Sequence, residues 1–293
     1  MNWLKSLSKK VKTKVKLANL TSFKIGGPAR FFFEAKNLKE LQKALFFAKH
    51  KGIPVFILGS GSNILVSDSG LDGLVIKLSG KVFKQIHSQG VYLESGAGIK
   101  LNQLILYSKN NGLSGLEFLT GIPGTLGGAL AGNAGAWGKS IGQLVRDVRV
   151  LDYNGKLKLF KPEELKFTYR ESNLNKYVII SARIKLRKQD KDTIALRIKE
   201  YLLQRNKTQG NNLPSAGCIF KNPDKYVAGK LIDACKLKGK LKGGAVISNS
   251  HANFILNKGK AKSNDVLFLM DLMRRKVKTR FKVNLEPEIK IWK

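Results

Sequence analysis

Glycine is the residue type whose spacing first suggests chemistry in this chain. Ten glycines lie between Gly112 and Gly142, interleaved with the apolar residues Leu113, Leu116, Phe118, Leu119, Ile122, Leu126, Leu130 and Trp137. Because glycine weakens helices and strands, a packed segment this rich in glycine needs a reason, such as backbone N–H groups that approach a flat or anionic ligand. The pattern predicts a backbone-built cradle for a large cofactor. The alternative, a mobile glycine loop, is disfavoured by the interleaved apolar residues.

A second glycine cluster, Gly59-Ser60-Gly61-Ser62-Asn63, joins two strand-like runs. A dinucleotide fold of the Rossmann kind would need a third glycine and a helix immediately afterwards. The chain continues instead as the strand-like Ile64-Leu65-Val66, which argues against that fold. A strand–turn–strand loop whose N–H groups meet a diphosphate remains possible.

Gly138-Lys139-Ser140 resembles the end of a phosphate-binding P-loop. That motif requires a glycine five positions before Gly138, where this chain has Asn133, and a preceding strand, which is also missing. The sequence therefore argues against an ATPase or GTPase of that class.

Composition limits the class of protein. The 293 residues include 54 Lys and Arg against 20 Asp and Glu, a formal net charge of +34, which favours anionic partners. The basic residues are spread along the whole chain without interleaved aromatic residues, which favours a lysine-biased surface over nucleic-acid binding. Two cysteines, Cys218 and Cys235, exclude a disulfide-dense scaffold and a cysteine-rich zinc site. We predict no metal site.

The sequence predicts a soluble, cytoplasmic protein. No apolar run approaches the ~20 residues that span a membrane, and the N-terminal MNWLKSLSKKVKTKVKL lacks the uninterrupted apolar core of a signal peptide. We expect this segment to be a frayed or locally docked start. The alternative is a basic amphipathic helix on an anionic membrane.

Hydrophobic periodicity predicts helices and strands without strict βαβ alternation. Helices are expected at the Asn37 cap, near Leu101, at Ala228 and at a Ser263 cap, and Ile194, Ile198 and Leu202 mark a further, basic helix. Strands are expected at 74–78, 91–99, 177–186 and in GGAVISNSHANFILN, which includes His251, with a hairpin turning at Asn154-Gly155. This mixture predicts an α+β fold in two parts that meet near the polar segment 188–192.

Several segments together resemble one family, the UDP-N-acetylenolpyruvoylglucosamine reductases, or MurB flavoproteins. The matching segments are TSFKIGGPA, LGSGSNILVSDSGLDGLVI, LSGLEFLTGIPGTLGGALAGNAGAWG, YRES, PSAGCIFKNP, AGKLIDA with KLKGKLKGGAVIS, SHANFILN and LEPEIKIW. They occur in the family's order over nearly the whole chain, and the ordered set is specific although each segment alone is weak. The short connection between YRES and PSAGC resembles the shorter subtype of the family.

The resemblance implies a vanillyl-alcohol-oxidase-type (PCMH) FAD-binding fold followed by a C-terminal α+β substrate domain. The implied boundaries are an N-terminal extension at 1–20, an FAD-binding domain at 21–188 with two subdomains split near 80, and a substrate-binding domain at 193–293. The implied cofactors are non-covalent FAD and NADPH as hydride donor. The implied FAD-binding residues are Gly59, Ser60, Gly61, Ser62, Asn63, Ile122, Pro123, Gly124, Thr125, Gly127, Gly128, Asn133 and Gly135.

The implied reaction is a two-step hydride relay, in which NADPH reduces the flavin and the flavin reduces the enolpyruvyl group of a UDP-sugar, giving UDP-N-acetylmuramate for peptidoglycan synthesis. Hydride added to one alkene carbon leaves negative charge on the other, which needs cationic or hydrogen-bonding support and then a proton. By the resemblance, Arg170 in YRES would clamp the neighbouring carboxylate with its guanidinium fork. Glu288 in LEPE, protonated or sharing a proton, would polarise the same end of the molecule. Cys218 in SAGC would donate the proton.

Cys218 is where the chain departs from the commonest pattern of the family, which has serine. A thiol with a reference pKa of about 8.5 is mostly protonated at neutral pH and yields its proton more readily than an alcohol. Without the motif, Cys218 would be interpreted as a small buried hydrophobic residue; the motif favours the proton donor and makes oxidative inactivation an expectation. Cys235 has no such support and is predicted to lie in the core.

The resemblance also implies substrate-binding residues. Lys221 and Asn222 in FKNP would bind the substrate's diphosphate, while Tyr169 would either support the site or only pack. His251 is predicted to be a satisfied core residue rather than a ligand. Glu286 is predicted to face solvent, because Pro287 interrupts the strand period that would place it beside Glu288.

Two other functions stay open from the sequence. One is another flavoprotein oxidase or dehydrogenase with the same cofactor fold, which the SAGC, KNP and LEPE segments oppose. The other is a basic nucleic-acid-binding protein, which would be colourless and bind with a steep salt dependence. We expect no nucleic-acid partner, and a monomer whose partners are the UDP-sugar enolpyruvyl ether and NADPH.

Overall fold

The computed structural model of the chain describes residues 10–209 and 213–293. The first nine residues of the predicted N-terminal start lie outside this range. The helices in the described residues are α1 (Leu38–His50), α2 (Leu101–Asn110), α3 (Leu126–Ala131), α4 (Lys191–Gln209), α5 (Ala228–Ala234) and α6 (Ser263–Phe281).

The strands are short, and many contain only two or three residues. Those up to residue 140 are β1 (Lys12–Lys16), β2 (Pro28–Ala35), β3 (Val55–Leu58), β4 (Ile64–Val66), β5 (Leu71–Leu78), β6 (Ile86–Gln89), β7 (Tyr92–Gly96), β8 (Leu113–Ser114), β9 (Gly135–Ala136) and β10 (Lys139–Ser140). The later ones are β11 (Val145–Leu151), β12 (Leu157–Phe160), β13 (Phe167–Thr168), β14 (Glu171–Ser172), β15 (Val178–Lys185), β16 (Arg187–Lys188), β17 (Ser215–Cys218), β18 (Leu241–Lys242), β19 (Ala245–Ile247), β20 (Phe254–Asn257) and β21 (Lys290–Trp292).

Three larger sheets organise these strands. One is four-stranded in the order β1-β2-β5-β3, with β3 and β5 parallel. A second is five-stranded and antiparallel in the order β12-β11-β15-β7-β6. The third is four-stranded in the order β17-β20-β19-β18. The α+β class predicted from the sequence is confirmed.

The chain forms two compact units, each with its own apolar core. The first comprises residues 10–13, Phe31–Ser60 and Gly73–Arg205; the second comprises Lys14–Arg30, Gly61–Asp72 and Asn206–Lys293. The core of the first includes the buried residues Phe33, Leu41, Leu93, Leu126 and Val148. The core of the second includes Phe220, Ile232, Ile255, Leu269 and Met273.

Local sequence signals predict several elements correctly. The Asn37 side chain caps α1 by accepting a hydrogen bond from the Glu40 N–H at 2.9 Å. The strands on either side of Asn154-Gly155 pair as the predicted hairpin. The predicted apolar face of α6 is buried along its whole length, at Val266, Leu269, Met270, Met273 and Val277.

The basic helix predicted at Ile194, Ile198 and Leu202 is confirmed as α4, although Leu202 is 42% exposed and Tyr201 packs on the core instead. Two local predictions are wrong. His251 lies in the turn between β19 and β20 rather than in a strand. Ser263 is the first residue of α6 rather than its cap, because its N–H and hydroxyl both donate to Asp68, at 2.6 and 2.8 Å.

Candidate active site

The two glycine-rich segments predicted to hold a cofactor meet at Gly59 and Thr125. A Cβ atom on Gly59 would lie 2.7 Å from Thr125 Oγ1, so this approach requires glycine. Thr125 caps α3, and its hydroxyl accepts a hydrogen bond from the Gly128 N–H at 3.3 Å. The Gly124 carbonyl accepts from the Leu101 N–H at 3.0 Å, which ties this segment to α2.

The loop that begins at Gly59 presents backbone donors. Among the described residues, no group accepts a hydrogen bond from the N–H of Gly59, Ser60 or Gly61. Gly61 has a φ of +64°, and a Cβ there would lie 2.3 Å from the Leu20 carbonyl oxygen. Successive N–H groups in a turn of this kind suit a phosphate or diphosphate. FAD carries a diphosphate, so these residues fit the cofactor that the resemblance implies.

Gly127 and Ile122, which are both predicted to bind FAD, donate their backbone N–H groups to the protein itself. The Gly127 N–H donates to the Ala97 carbonyl at 2.8 Å, and a Cβ on Gly127 would lie 3.0 Å from Ala97 Cβ. The Ile122 N–H donates to the Leu119 carbonyl at 3.0 Å, and its side chain packs on the core of the first unit. Their assignment to FAD stays a prediction.

Arg170 lies in the two-residue turn between β13 and β14, with a φ of +59°. Its Nη1 donates to the Gly135 carbonyl at 2.9 Å. Its guanidinium carbon lies 5.4 Å from the centre of the Tyr169 ring. Tyr169 is half exposed, so it contacts the guanidinium without being packed in the core.

Cys218 ends β17 in the second unit and lies opposite Phe254 of β20. The register between these strands shifts between Ser215 and Cys218, and Gly217 has a φ of +77° at this irregularity. An irregularity of this kind bends a strand and redirects the side chains beside it. Cys218 is half-buried there.

The LEPE segment lies beside the residues that follow Cys218. The Glu288 N–H donates to the Ile219 carbonyl at 2.8 Å, and the Lys221 N–H donates to the Glu286 carbonyl at 2.9 Å. Phe220 and Pro287 form an antiparallel bridge between these two bonds. The structure therefore places Glu288 next to the segment that carries Cys218.

The two predicted substrate-binding residues after Phe220 both contact neighbouring elements. Lys221 Nζ lies 3.6 Å from Glu286 Oε2, and the Glu286 side chain is 76% exposed, which confirms that it faces solvent. Asn222 Oδ1 accepts from the Ala228 N–H at 3.0 Å, at the start of α5.

Asn253 is a buried polar residue that the sequence did not single out. Its Oδ1 accepts from the Phe220 N–H at 3.0 Å and its Nδ2 donates to the Phe220 carbonyl at 2.8 Å. This pair of bonds fixes the backbone that follows Cys218. The sequence signal that could have identified Asn253 is an amide inside the mostly apolar run HANFIL, because a buried amide must be hydrogen-bonded.

Predictions for His251 and Cys235 have different outcomes. His251 Nδ1 is buried and has no hydrogen-bond partner among the described residues, so the prediction of a satisfied core residue is wrong. Its ring packs edge-on against Phe254 at 4.8 Å, and burial lowers the pKa of this imidazole. Cys235 is half-buried and packs against the core of the second unit rather than within it, and burial raises the pKa of its thiol.

The described residues contain neither a cluster of metal ligands nor a membrane-spanning helix. Within 10–209 and 213–293, no group of three or more His, Cys, Asp or Glu side chains is arranged to hold a metal ion. Over the same ranges, no helix has the length and apolar character needed to cross a membrane.

Comparison with known families assigns both parts of the chain. Residues 29–160 match the model of the FAD binding domain, and residues 208–292 match that of the UDP-N-acetylenolpyruvoylglucosamine reductase C-terminal domain. The first match agrees with the FAD-binding fold that the sequence motifs imply.

Curated proteins match over nearly their whole length. UDP-N-acetylenolpyruvoylglucosamine reductase 2 of Symbiobacterium thermophilum is 42% identical, over 93% of this chain and 89% of its own. The UDP-N-acetylenolpyruvoylglucosamine reductase of a Synechococcus strain is 41% identical, over 97% and 92%. The crystal structure of UDP-N-acetylenolpyruvylglucosamine reductase (MurB) from Thermus caldophilus superimposes with a TM-score of 0.83 at 36% identity, over 97% of this chain and 99% of that one.

Proposed function

The chain belongs to the UDP-N-acetylenolpyruvoylglucosamine reductase family, and on that premise we propose a role for each of its site residues in the reaction. It is an FAD-dependent oxidoreductase of peptidoglycan precursor synthesis. The reaction reduces the enolpyruvyl ether of UDP-N-acetylglucosamine to the lactyl ether, UDP-N-acetylmuramate, with NADPH as the hydride donor.

Backbone groups near Gly59 and Thr125 would hold the cofactor. The N–H groups of Gly59, Ser60 and Gly61 would bind the diphosphate of FAD, beside Thr125 at the start of α3. When bound, FAD supplies the hydride chemistry, taking a hydride from NADPH and passing it to the alkene of the substrate. The other residues that the resemblance assigns to FAD would shape the same pocket, namely Ile122, Pro123, Gly124, Gly127, Gly128 and Gly135.

Arg170 binds the substrate carboxylate in this proposal. Its guanidinium can donate two parallel hydrogen bonds to the two oxygens. Charge that develops on the carbon next to this carboxylate is delocalised into it, so a fixed cation there stabilises the transition state more than the ground state. The bond from Arg170 to the Gly135 carbonyl supports a fixed guanidinium.

Cys218 supplies the proton in this proposal. One new C–H bond forms with the delivered hydride and the other with the proton from the thiol, and solvent then reprotonates the thiolate. Glu288, protonated or sharing a proton, polarises the carboxylate end, while Lys221 and Asn222 bind the diphosphate of the UDP-sugar. We assign the FAD-binding role to residues 21–188 and the substrate-binding role to 193–293, in a cytoplasmic monomer.

One observation carries the chemical part of this proposal. The Glu288 N–H donates to the Ile219 carbonyl at 2.8 Å, so Glu288 lies beside the residue that follows Cys218. A proton donor beside a protonated carboxyl group can supply both the proton and the hydrogen bond that a stabilised carbanion needs.

Absorbance spectroscopy tests the proposal directly. We expect the purified protein to be yellow, to lose its flavin absorbance on adding NADPH without oxygen, and to regain it on adding the enolpyruvyl UDP-sugar, with UDP-N-acetylmuramate as product. Failure of that substrate to restore the absorbance, combined with oxidation of an alcohol or hydroxy acid, would overturn it.

A further inference from the structure

We propose that Asn133 is a positioning residue for Arg170, holding the turn that carries the guanidinium rather than contacting FAD, the role that the resemblance implies for it. This inference rests on the proposed function, in which Arg170 binds the substrate carboxylate. The side chain of Asn133 is 7% exposed. Its Nδ2 donates to the Thr168 carbonyl at 2.8 Å, and its Oδ1 accepts from the Gly142 N–H at 3.0 Å.

The turn that Asn133 holds is weak by itself. Thr168 is the last residue of β13, and the two residues that follow it form the turn to β14. The hairpin has only two residue pairs, Phe167 with Ser172 and Thr168 with Glu171. A hairpin of this length has little intrinsic stability, so bonds from outside it must define the turn.

One short segment provides two of those bonds. Asn133 holds the carbonyl at the base of the turn, and Gly135, two residues later, accepts from Arg170 Nη1 at 2.9 Å. Gly135 is itself fixed, because it pairs with Ser140 and a Cβ on it would lie 2.4 Å from the Lys139 carbonyl oxygen. The same rigid segment, 133–135, therefore holds both the backbone turn and the guanidinium of Arg170.

The residue type at position 133 suits this role. Its φ of +41° is a conformation that asparagine tolerates better than most residues. One donor and one acceptor on the same side chain are both needed, since the bonds to Thr168 and Gly142 run in opposite senses. A misplacement of about 1 Å at a positioning group can cost on the order of 100-fold in rate.

Asn133→Asp is the discriminating variant, because it keeps the backbone preference and the acceptor but loses the donor to Thr168. In the holoenzyme we expect reoxidation of the reduced flavin by the enolpyruvyl UDP-sugar to slow about 10- to 100-fold. We expect flavin content and the rate of bleaching by NADPH to stay within about twofold of wild type. The matched control is Asn173→Asp, because Asn173 accepts from the Lys166 N–H and donates to the Glu164 carbonyl, with no bond to 133–135. This control should react at the wild-type rate.

A double variant tests whether Asn133 acts through Arg170. In an Arg170→Lys background, Asn133→Asp should slow reoxidation by less than about twofold further, because the group that it positions is already gone. Loss of flavin from Asn133→Asp, or an undiminished effect in the Arg170→Lys background, would overturn the inference.

If the wild-type protein fails to use the enolpyruvyl substrate, that result counts against the proposed function alone. A crystal structure of the Asn133→Asp holoenzyme then still tests the inference. Displacement of the Arg170 guanidinium from the Gly135 carbonyl would support the positioning role. An Arg170 in its original place would overturn it.

Discussion

The side-chain amide of Asn63 donates from Nδ2 to the carbonyl oxygen of Glu288 at 3.1 Å, joining residues 225 positions apart. The Asn63 carbonyl accepts in turn from the Lys290 N–H at 3.0 Å. The last residue of the GSGSN cluster therefore fixes the backbone of the proposed catalytic carboxylate. Its expected role in FAD binding stays a prediction.

Asn63→Asp should impair the step that uses Glu288. The variant loses the donor and places a carboxylate against a carbonyl oxygen, so we expect reoxidation of the reduced flavin by the enolpyruvyl substrate to fall about tenfold. Stopped-flow absorbance measures this rate. Asn111→Asp is the control, since Asn111 also donates from an exposed position to a carbonyl, that of Tyr107, at 2.8 Å. Equal rates for the two variants would contradict the prediction.

Cys218→Ala should separate the two half-reactions. We expect bleaching by NADPH to stay near the wild-type rate, because it needs no proton from the thiol, while reoxidation by the enolpyruvyl substrate slows at least about 100-fold. Cys218→Ser should retain much of the activity, and Cys235→Ala should behave as wild type. Rapid reoxidation of the Cys218→Ala protein would show that the proton comes from elsewhere.

Gly59→Ala should weaken FAD binding. The added Cβ would lie 2.7 Å from Thr125 Oγ1, and a shift of that hydroxyl would disturb the cap of α3. If overpacking costs about 1–3 kcal/mol, the affinity for FAD falls roughly 5- to 150-fold. The ratio of flavin to protein absorbance after dialysis reports the loss. Gly132→Ala is the control, because its nearest contact is an ordinary 3.5 Å from the Gly128 carbonyl oxygen; flavin loss from both variants alike would refute the steric explanation.

Asp68→Ala should destabilise the protein more than a change at a surface ion pair. Asp68 accepts from both the N–H and the hydroxyl of Ser263 at the first residue of α6, where a negative charge is favourable. We expect a loss of about 1–2 kcal/mol, seen as a lower Tm. Asp72→Ala removes the exposed ion pair with Arg30, which is worth less than about 1 kcal/mol. A larger effect at Asp72 would contradict this account.

His251 should make stability fall as the pH is lowered. Burial lowers the pKa of His251 below its ordinary value, with a further contribution from the nearby Lys238. As the pH falls, the histidine of the unfolded chain therefore binds a proton before that of the folded chain. The free energy of unfolding is highest above about pH 6.5 and decreases as the pH falls toward the folded pKa, by no more than about 1.4 kcal/mol per pH unit. Thermal melts between pH 5.5 and 8 should show a smaller decline for His251→Gln than for wild type. The exposed His87→Gln should keep the wild-type profile, and an unchanged profile for His251→Gln would reject the prediction.

Short-range signals were sufficient for much of the secondary structure. The Asn37 cap, the Asn154-Gly155 hairpin and the apolar face of α6 each depend on residues a few positions apart, whose interactions hardly vary with the rest of the fold. The ordered motifs also identified the family and its cofactor, because the residue types needed for the chemistry stand in the sequence itself.

The partners of those residues were decided only by the tertiary structure. Serine is a residue type that often caps helices, yet at Ser263 the capping carboxylate comes from Asp68, 195 positions away. Asn63 and Asn133 stand in glycine-rich cofactor motifs, yet their amides bind the carbonyls of Glu288 and Thr168. Side-chain bonds between distant segments leave no periodic pattern, because which backbone group lies within 3 Å depends on how whole strands and helices pack.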